Sequence, residues 1–479
     1  MVAAISSTPG WVPVHFDEAQ YATWLLDLDL SYQTKGPFVT FTQWLVQGLA
    51  LPPLIAMRLP AWFAFVVAAL GLIWVGYRTG LRDQRLWILV LSLSCAPMVI
   101  LLAMVHTTDI WLLAMIILSL GAFAEVVHRD GQHGAEIWWV LMGVALGLGA
   151  LAKLSIALIP LALLPWVILR MPQIFLTAGP YLGAFVCALT MSPWIAWNID
   201  HDFGHLKHEF GHMAGGDAQW SDAFTWLPIL VVSILPVGWL AIFGGLRWRG
   251  NGTLMLESGY ASRVREAFQV ISVVLIAFFV IKGFAGPILV NWVLPLVPFL
   301  LLGFAARVRW SVALQSMITV MQWGIVVMLL FPYQFGWTMQ RDAFQKIRGW
   351  DTAIQEVAAL SGPSDVVSAD HYSVLAWALF YWPEAPGEGR WSGPIGQVIP
   401  DQSRRVNQYD QWAVLAGPHA RIVHLGANTP DRLAERCGQF SALGRVSVRM
   451  PDGTVRSEIG VWECLDYVPE PPWPNMDLH

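Results

Sequence analysis

The stretch DIWLLAMIILSLGAFAEVV, residues 109–127, carries one carboxylate, Glu125, after its opening Asp109, and is closed by His128 and Arg129. At about 1.5 Å per helical residue such a run nearly crosses a hydrocarbon layer of about 30 Å. Outward from it, apolar runs of similar length recur at 60–77, 86–105, 136–152, 154–169, 174–197, 224–246, 267–281, 287–306 and 310–331. Ten spans are therefore expected, with 154–169 and 267–281 the shortest. From Pro332 charges return, apolar runs shorten and Pro/Gly turns such as Trp382-Pro-Glu-Ala-Pro-Gly appear. The reading is a mainly α, polytopic membrane protein in three parts: a first extracytoplasmic loop with membrane-surface helices over 1–59, a helical membrane domain over 60–331, and an extracytoplasmic soluble α/β domain over 332–479.

Composition agrees. Of 479 residues, 56% are hydrophobic and 13% charged, with 27 Trp and 23 Phe. Soluble domains carry about 25% charge, so lipid is the expected solvent. The net charge of −5 offers no basic face for nucleic acid, whose binding rests on neutralised phosphates. Four cysteines exclude a disulfide scaffold.

Basic residues in the short loops set the orientation. One set of loops holds Arg78, Arg82, Arg85, Arg129, Arg170, Arg247, Arg249, Arg263, Arg265, Arg307 and Arg309. The opposite set holds Lys35, Arg58, Lys153, Lys207 and Lys282. The first set is expected to be cytoplasmic, which puts residues 1–59 and the C-terminal domain outside. Cys437 and Cys464 would share that outside domain, where a disulfide can form. Met1 to Pro13 is neither a signal peptide nor a spanning helix, so a helix upstream of Met1 is expected.

All five lysines, Lys35, Lys153, Lys207, Lys282 and Lys346, fall outside in this topology, and most lie near a membrane boundary. Snorkelling anchors are the plain explanation of each one. As a set they suggest a face for an anionic ligand such as a lipid phosphate. The first loop reads His15-Phe-Asp17-Glu18-Ala-Gln-Tyr21, followed by Tyr32-Gln-Thr34-Lys35-Gly36-Pro37. A carboxylate and a cation on one loop suit a general base facing an anionic leaving group. Acidic residues also simply favour a helix N-terminus.

The ordered set DEAQYATWLLDLDLSYQTKGPF, then Arg58-Leu-Pro, His106-Thr-Thr-Asp109, Gly149-Ala-Leu-Ala-Lys153, Ser192-Pro-Trp-Ile-Ala-Trp-Asn198, His201-Asp202-Phe203, Ser368-Ala-Asp370-His-Tyr372 and Asn407-Gln-Tyr-Asp-Gln-Trp412 spans nearly the whole chain. It resembles the polyprenyl-phosphate-sugar glycosyltransferases of GT-C fold, in the bacterial branch of aminoarabinose and protein O-mannosyl transferases. The resemblance implies Asp17, with Glu18, at the catalytic acidic position. It implies Lys35, Arg58, Lys153, Lys207 and Lys282 as cations for the donor phosphate, and Tyr21, His106, Asp109, Asn198, His201 and Asp202 around the substrate cavity. Where relatives have Lys-Pro-Pro the chain has Lys35-Gly36-Pro37, a less rigid turn. No cofactor is required by this reading. A divalent metal on His201 or His205 is a further expectation, but the Glu that precedes the turn lysine in some relatives is Thr34 here.

Other patterns are set aside. His208-Glu-Phe-Gly-His212 matches the zinc-protease spacing, yet Gly204 and Gly211 weaken the helix and no distant third ligand stands out. Asp27-Leu-Asp29 sits where nucleotide-sugars are absent. Gly143, Gly147 and Gly149 suit helix packing, and the sequon at Asn251 falls on the cytoplasmic side.

The expected function is inverting transfer of a sugar from a polyprenyl-phosphate donor to an extracytoplasmic lipid, glycan or protein acceptor, at the periplasmic face of a bacterial inner membrane. A transporter for an anionic lipid or solute is the rival, and it requires charged residues deep in the spans. An inactive relative that serves as a binding module would have no need to keep Asp17 and Lys35.

Overall fold

The computed structural model describes residues 2–8, 10–129, 134–214, 259–284, 286, 288–304, 311–336, 342, 344–361, 366–382 and 421–468. The expected span 224–246, the Asn251 sequon, the motif at 407–412 and the His212 side chain lie outside the described residues.

Three short helices build the first loop: α1 (Val2–Ser7), α2 (Phe16–Trp24) and α3 (Phe38–Val46). The membrane part follows with α4 (Pro53–Arg78), α5 (Gln84–Cys95), α6 (Pro97–Met104), α7 (Thr108–His128) and α8 (Glu136–Ala152). It continues through α9 (Leu158–Arg170), α10 (Gly179–Thr190), α11 (Ser192–Asp200), α12 (Gly204–Ala214), α13 (Gly259–Phe284), α14 (Leu296–Phe304) and α15 (Val312–Leu330).

By length and composition α4, α7 and α13 can each cross a membrane, and two bent pairs, α5 with α6 and α10 with α11, raise the number to five. The ten expected spans are corrected in three ways. The run 86–105 is broken by 65° at Ala96, where Pro97 opens α6, and the run 174–197 by 53° at Met191, where Ser192 and Pro193 open α11. Proline cannot donate the helical N–H, so the ladder restarts at a new angle. The run 154–169 opens on a 3-10 turn, the run 287–306 contains one at Val290–Val293, and they yield shorter helices, α9 and α14. Conversely 267–281 is the middle of α13, which has 26 residues and extends into charged sequence at Arg263 and Arg265.

Large apolar side chains remain uncovered on the outer faces of these helices, including Leu70 at 62%, Leu169 at 78% and Val320 at 71%. Water would penalise so continuous an apolar surface; lipid does not. α7 lies inside, with 94% of its apolar window buried, and α4 and α8 pack along it.

The C-terminal part has α16 (Trp350–Ser361), β1 (Val366–Ala369), α17 (Tyr372–Tyr381), β2 (Ile422–Gly426), the one-turn α18 (Asp431–Ala434), β3 (Cys437–Arg449) and β4 (Val455–Tyr467). The sheet order is β1-β2-β4-β3, with β1 and β2 parallel and the other pairs antiparallel. Cys437 and Cys464 are disulfide-bonded across β3 and β4, as their shared domain allowed. This part is not a separate bead. Trp377 of α17 donates to the carbonyl of Val14 at 3.0 Å and meets Phe16 edge-on, while stacking on Trp350. α17 thereby rests directly on α2.

Candidate functional site

The site is built on the first turn of α2. His15 is its N-cap: the ring Nδ1 accepts from Asp17 N at 3.2 Å, and the Glu18 carboxylate accepts from His15 N at 3.1 Å. This reciprocal cap fixes the directions in which Asp17 and Glu18 leave the helix, about 100° apart.

Glu18 points into the protein and is spent there. Its Oε1 accepts from Arg58 Nε at 3.0 Å and His106 N at 2.8 Å, and its Oε2 from Arg58 Nη2 at 2.9 Å besides His15 N. Arg58 is equally committed: its remaining N–H groups go to the carbonyls of Ser6, Val12 and Pro13. All five guanidinium donors are thus used, and both side chains are fully buried. The roles expected for Glu18 in catalysis and Arg58 in phosphate binding are corrected: the pair ties α1, α2, α4 and the start of α7 together.

Asp17 points the other way. Lys35 Nζ donates to its Oδ2 at 3.1 Å, and both keep some exposure, 14% for Asp17 and 28% for Lys35. Burial by itself pushes the Asp17 carboxyl up, but Lys35 and His15 outweigh it and hold the carboxyl below its ordinary value. Burial by itself lowers Lys35, but Asp17 and its neighbours raise it well above the ordinary lysine value. The two stay an ion pair across the physiological range. His15 is lowered by its own burial against the pull of Asp17 and Glu18.

Two tyrosines flank the pair. Tyr21, one turn along α2 from Asp17, is buried with its hydroxyl next to Lys35, and burial first of all raises its pKa. Tyr372, the first residue of α17, comes from the C-terminal domain. Its ring meets Phe16 edge-on at 5.9 Å, and burial together with Asp17 pushes its hydroxyl up to about 12 against the opposing Lys35. The sequence quotes Tyr372 within a motif but gives no sign that it reaches Asp17 from 355 positions away; only the α2–α17 packing brings it there.

The other expected residues divide. Asp109, in the first turn of α7, accepts from Lys153 Nζ at 2.7 Å and from Asn291 Nδ2 at 3.0 Å. Lys153 is therefore bound to a carboxylate, although near enough to help lower Asp17. Asn291 is the partner that sequence reasoning missed. His106, expected at the substrate cavity, makes no contact with Asp17 that the structure records. It is buried between Thr42 and the Trp111 indole, and burial, opposed by Glu18, pushes it down to about 4. Lys207 is exposed on α12, and Lys282 lies 5.9 Å over the Trp292 ring. Neither contacts Asp17, so of the five expected cations only Lys35 does.

Asn198, His201 and Asp202 form the hairpin between α11 and α12. Asn198 is buried and holds it, donating to Trp194 O and accepting from Leu206 N. His201 stacks on Trp197 with ring centroids 4.0 Å apart. Asp202 and Phe203 are exposed at φ 51° and 59°, a left-handed geometry that costs energy without glycine. Asn198 and Asp202 are thus structural or outward-facing, not brought against Asp17.

The metal expectation fits these side chains poorly. His205 is buried, its Nδ1 accepts from Trp194 Nε1 at 2.8 Å, and its Nε2 faces Glu209 at 3.8 Å. That leaves no free lone pair for a metal. His201 donates from Nδ1 to Trp197 O at 2.9 Å, which leaves only its Nε2 lone pair, a single ligand. Among the described residues no group of three His, Cys, Asp or Glu side chains is placed to hold an ion. His205 instead ties loops, with Ser31 Oγ 3.4 Å from its Nδ1, and beside it Asp29 accepts from Trp197 Nε1 at 2.7 Å.

Comparison with known proteins bears on the fold. A family profile described as "Predicted membrane protein (DUF2142)" matches residues 48–251. The undecaprenyl phosphate-alpha-4-amino-4-deoxy-L-arabinose arabinosyl transferase of Edwardsiella ictaluri is 31% identical over 137 residues, which is 26% of this chain and 24% of that protein. The match therefore spans about a quarter of that relative's length. Two crystal structures of ArnT from Cupriavidus metallidurans cover far more. The form bound to undecaprenyl phosphate aligns with a TM-score of 0.67 at 15% identity over 96% of both chains. The apo form aligns with a TM-score of 0.68 at 14% identity, over 96% of this chain and 95% of that one. The chain is a multi-pass membrane protein with the GT-C fold of those ArnT structures.

Proposed function

We propose that the protein is a glycosyltransferase that moves a sugar from a polyprenyl-phosphate donor to an acceptor on the extracytoplasmic face of a bacterial inner membrane, with inversion. The observation that carries the reading is the half-buried Asp17–Lys35 ion pair, with Tyr372 beside it, on a GT-C framework. The acceptor hydroxyl attacks the anomeric carbon from the side opposite the phosphate. The bond from that carbon to the phosphate oxygen breaks, and the lipid phosphate leaves with the electron pair. Asp17 takes the hydroxyl proton, which an ionised carboxylate of lowered pKa can do without prior deprotonation. Lys35, released from Asp17 as the carboxylate is neutralised, meets the charge growing on the leaving phosphate in a site of low dielectric.

The disulfide between Cys437 and Cys464 supports an outside location for the C-terminal domain and for the α2 face it covers, since such bonds persist in oxidising compartments. The test is mass spectrometry of envelope lipids, glycans and proteins from cells with and without the gene, and with Asp17→Asn. The expected result is one sugar-sized mass difference, lost in both deficient strains. Identical acceptor pools in all three would remove the proposal.

A further inference from the structure

The arginine-rich end of the bundle carries a second charged cluster, remote from Asp17. Its centre is Glu125, which lies along α7 from Asp109 by about 24 Å at the helical rise and has a fully buried side chain. Two guanidiniums converge on it. Arg78, at the end of α4, has its Nε 2.5 Å from Oε1, and Arg129, just past the end of α7, has its Nε 3.6 Å from Oε2. Two cations on one carboxylate leave the trio with a net positive charge. The pairing uses only the Nε atoms. Each arginine has four further N–H donors on its two Nη atoms, and among the described residues the structure places no acceptor against them. Arg78 and Arg129 stay 27% and 37% exposed, whereas Glu125 keeps no exposure. Water alone could satisfy these donors; what singles them out is the surface on which they stand.

Arg129 lies over the Trp138 ring of α8 at 5.7 Å, and Trp138 meets Trp74 of α4 with ring centroids 5.8 Å apart. Gly121, one turn before Glu125, lets Trp74 lie directly on α7: a Cβ there would fall 2.1 Å from the indole. Leu70, Trp74 and Arg78 follow one another at intervals of four, so they form one column on α4, and Leu70 is 62% exposed. On α8, Leu141 stands one turn beyond Trp138 and is 44% exposed. The surface thus passes from apolar side chains, through two indoles, to two partly exposed guanidiniums. A phospholipid has the same order of polarity, from acyl chain through the interfacial level, where tryptophan collects, to phosphate. Guanidinium forks match phosphate oxygens bidentately, and basic sites between membrane helices hold anionic headgroups. Other arginines at this end are engaged differently. Arg82 donates to the carbonyls of Tyr77 and Leu81, Arg170 pairs with Glu266, and Arg265 is buried and donates to the Thr79 carbonyl.

We infer that the face formed by α4, α7 and α8 binds one anionic phospholipid, with its phosphate on Arg78 and Arg129 and its acyl chains along Leu70 and Leu141. The test is native mass spectrometry of the purified full chain, released from micelles that contain equal amounts of phosphatidylglycerol and phosphatidylcholine with the same acyl chains. Phosphatidylcholine carries the same phosphate but a compensating cation. For the first lipid bound, the wild-type protein is expected to retain phosphatidylglycerol over phosphatidylcholine by about tenfold. Arg129→Gln leaves Glu125 paired with Arg78 and is expected to lose most of that ratio. Arg129→Lys keeps the charge but not the fork and is expected to hold part of it; it carries the comparison should the glutamine variant fail to fold. Arg170→Gln also removes one positive charge at this end, outside the site, and should leave the ratio within about twofold. Melting curves of the three variants are the check on folding. An equal loss in Arg170→Gln means that the arginine-rich end attracts anionic lipid only as a diffuse field, and it overturns the inference. A wild-type ratio near one does the same, as does a ratio erased by inorganic phosphate, which marks a site for the free ion.

Discussion

Two adjacent carboxylates, Asp17 and Glu18, look interchangeable in the sequence, and the structure gives them opposite fates. Asp17→Asn preserves shape but cannot take a proton, so transfer should fall about 10²–10⁴-fold while donor affinity changes little, as steady-state rates and binding on the purified protein will show. Glu18→Gln and Arg58→Met each leave a buried charge uncompensated, which costs about 3–5 kcal/mol. Each single variant should melt far below wild type, whereas the double variant Glu18→Gln/Arg58→Met should recover part of the loss. If Arg58→Met instead folds normally and loses only donor affinity, the phosphate role withdrawn above is restored. The depressed Asp17 carboxyl also fixes the sign of a pH effect: its ion pair with Lys35 contributes stability above the ordinary carboxylate value, lost as pH falls through the lowered one. Rates should accordingly stay level between about pH 7 and 9, where neither partner titrates. These distinctions were not legible in the sequence. Asp17 and Lys35 could be picked out from their motif, but the commitment of Arg58 and Glu18 depends on backbone carbonyls at Ser6, Val12 and Pro13 that no side-chain pattern announces.

Turns between elements explain residues that the sequence makes look permissive. Gly36 stands between Lys35 and Pro37, where a glycine suggests a flexible turn. In the fold it lies where the end of α8 passes, and a Cβ there would sit 2.0 Å from the Leu151 carbonyl oxygen. The glycine therefore permits close approach, bringing Lys35 beside the loop that carries Lys153. Gly36→Ala should push the turn off α8 and weaken donor affinity at least tenfold, with a smaller effect on melting; unchanged affinity would separate Lys35 from the phosphate. A second contact of this kind supports Tyr372. Asp370, at the end of β1, accepts from His424 and from Ala427 N, and a Cβ on Gly426 would meet its Oδ2 at 2.1 Å. Gly426→Ala should displace the turn that delivers Tyr372 and slow transfer. Hydrogen exchange should rise over residues 366–382 while the α2 segment stays protected. The helices themselves were readable from apolar length, because lipid demands it. Their breaks at Pro97 and Pro193 were visible as prolines, but their 65° and 53° bends were not, since packing around the bundle decides the angle.

At the scale of the whole molecule, the bundle and the C-terminal domain share one continuous core that runs from Val12 through α7 to Val461. Arg348 fastens the junction: it pairs with Asp342 and donates to the carbonyls of Trp11 and Leu330, joining the first loop, the last membrane helix and the C-terminal domain. The domain is thus a wall of the site, and its compartment decides on which face of the membrane Asp17 works. The disulfide gives a way to read that compartment. In intact spheroplasts, a membrane-impermeant maleimide should label Cys437 and Cys464 only after a reductant is added. Cys95, which is buried, should stay unlabelled throughout. Closing a loop of 27 residues stabilises a domain by about 3–4 kcal/mol in the chain-entropy account, so reduction should also lower the melting temperature of the C-terminal part. The bond joins β3 and β4, whereas Tyr372 follows β1 at the opposite edge of the sheet. Transfer measured well below that melting temperature should therefore survive reduction. Labelling of both thiols without reductant, and only after the membrane is opened, would place the domain and Asp17 in the cytoplasm and reverse the orientation drawn from the arginine-rich loops.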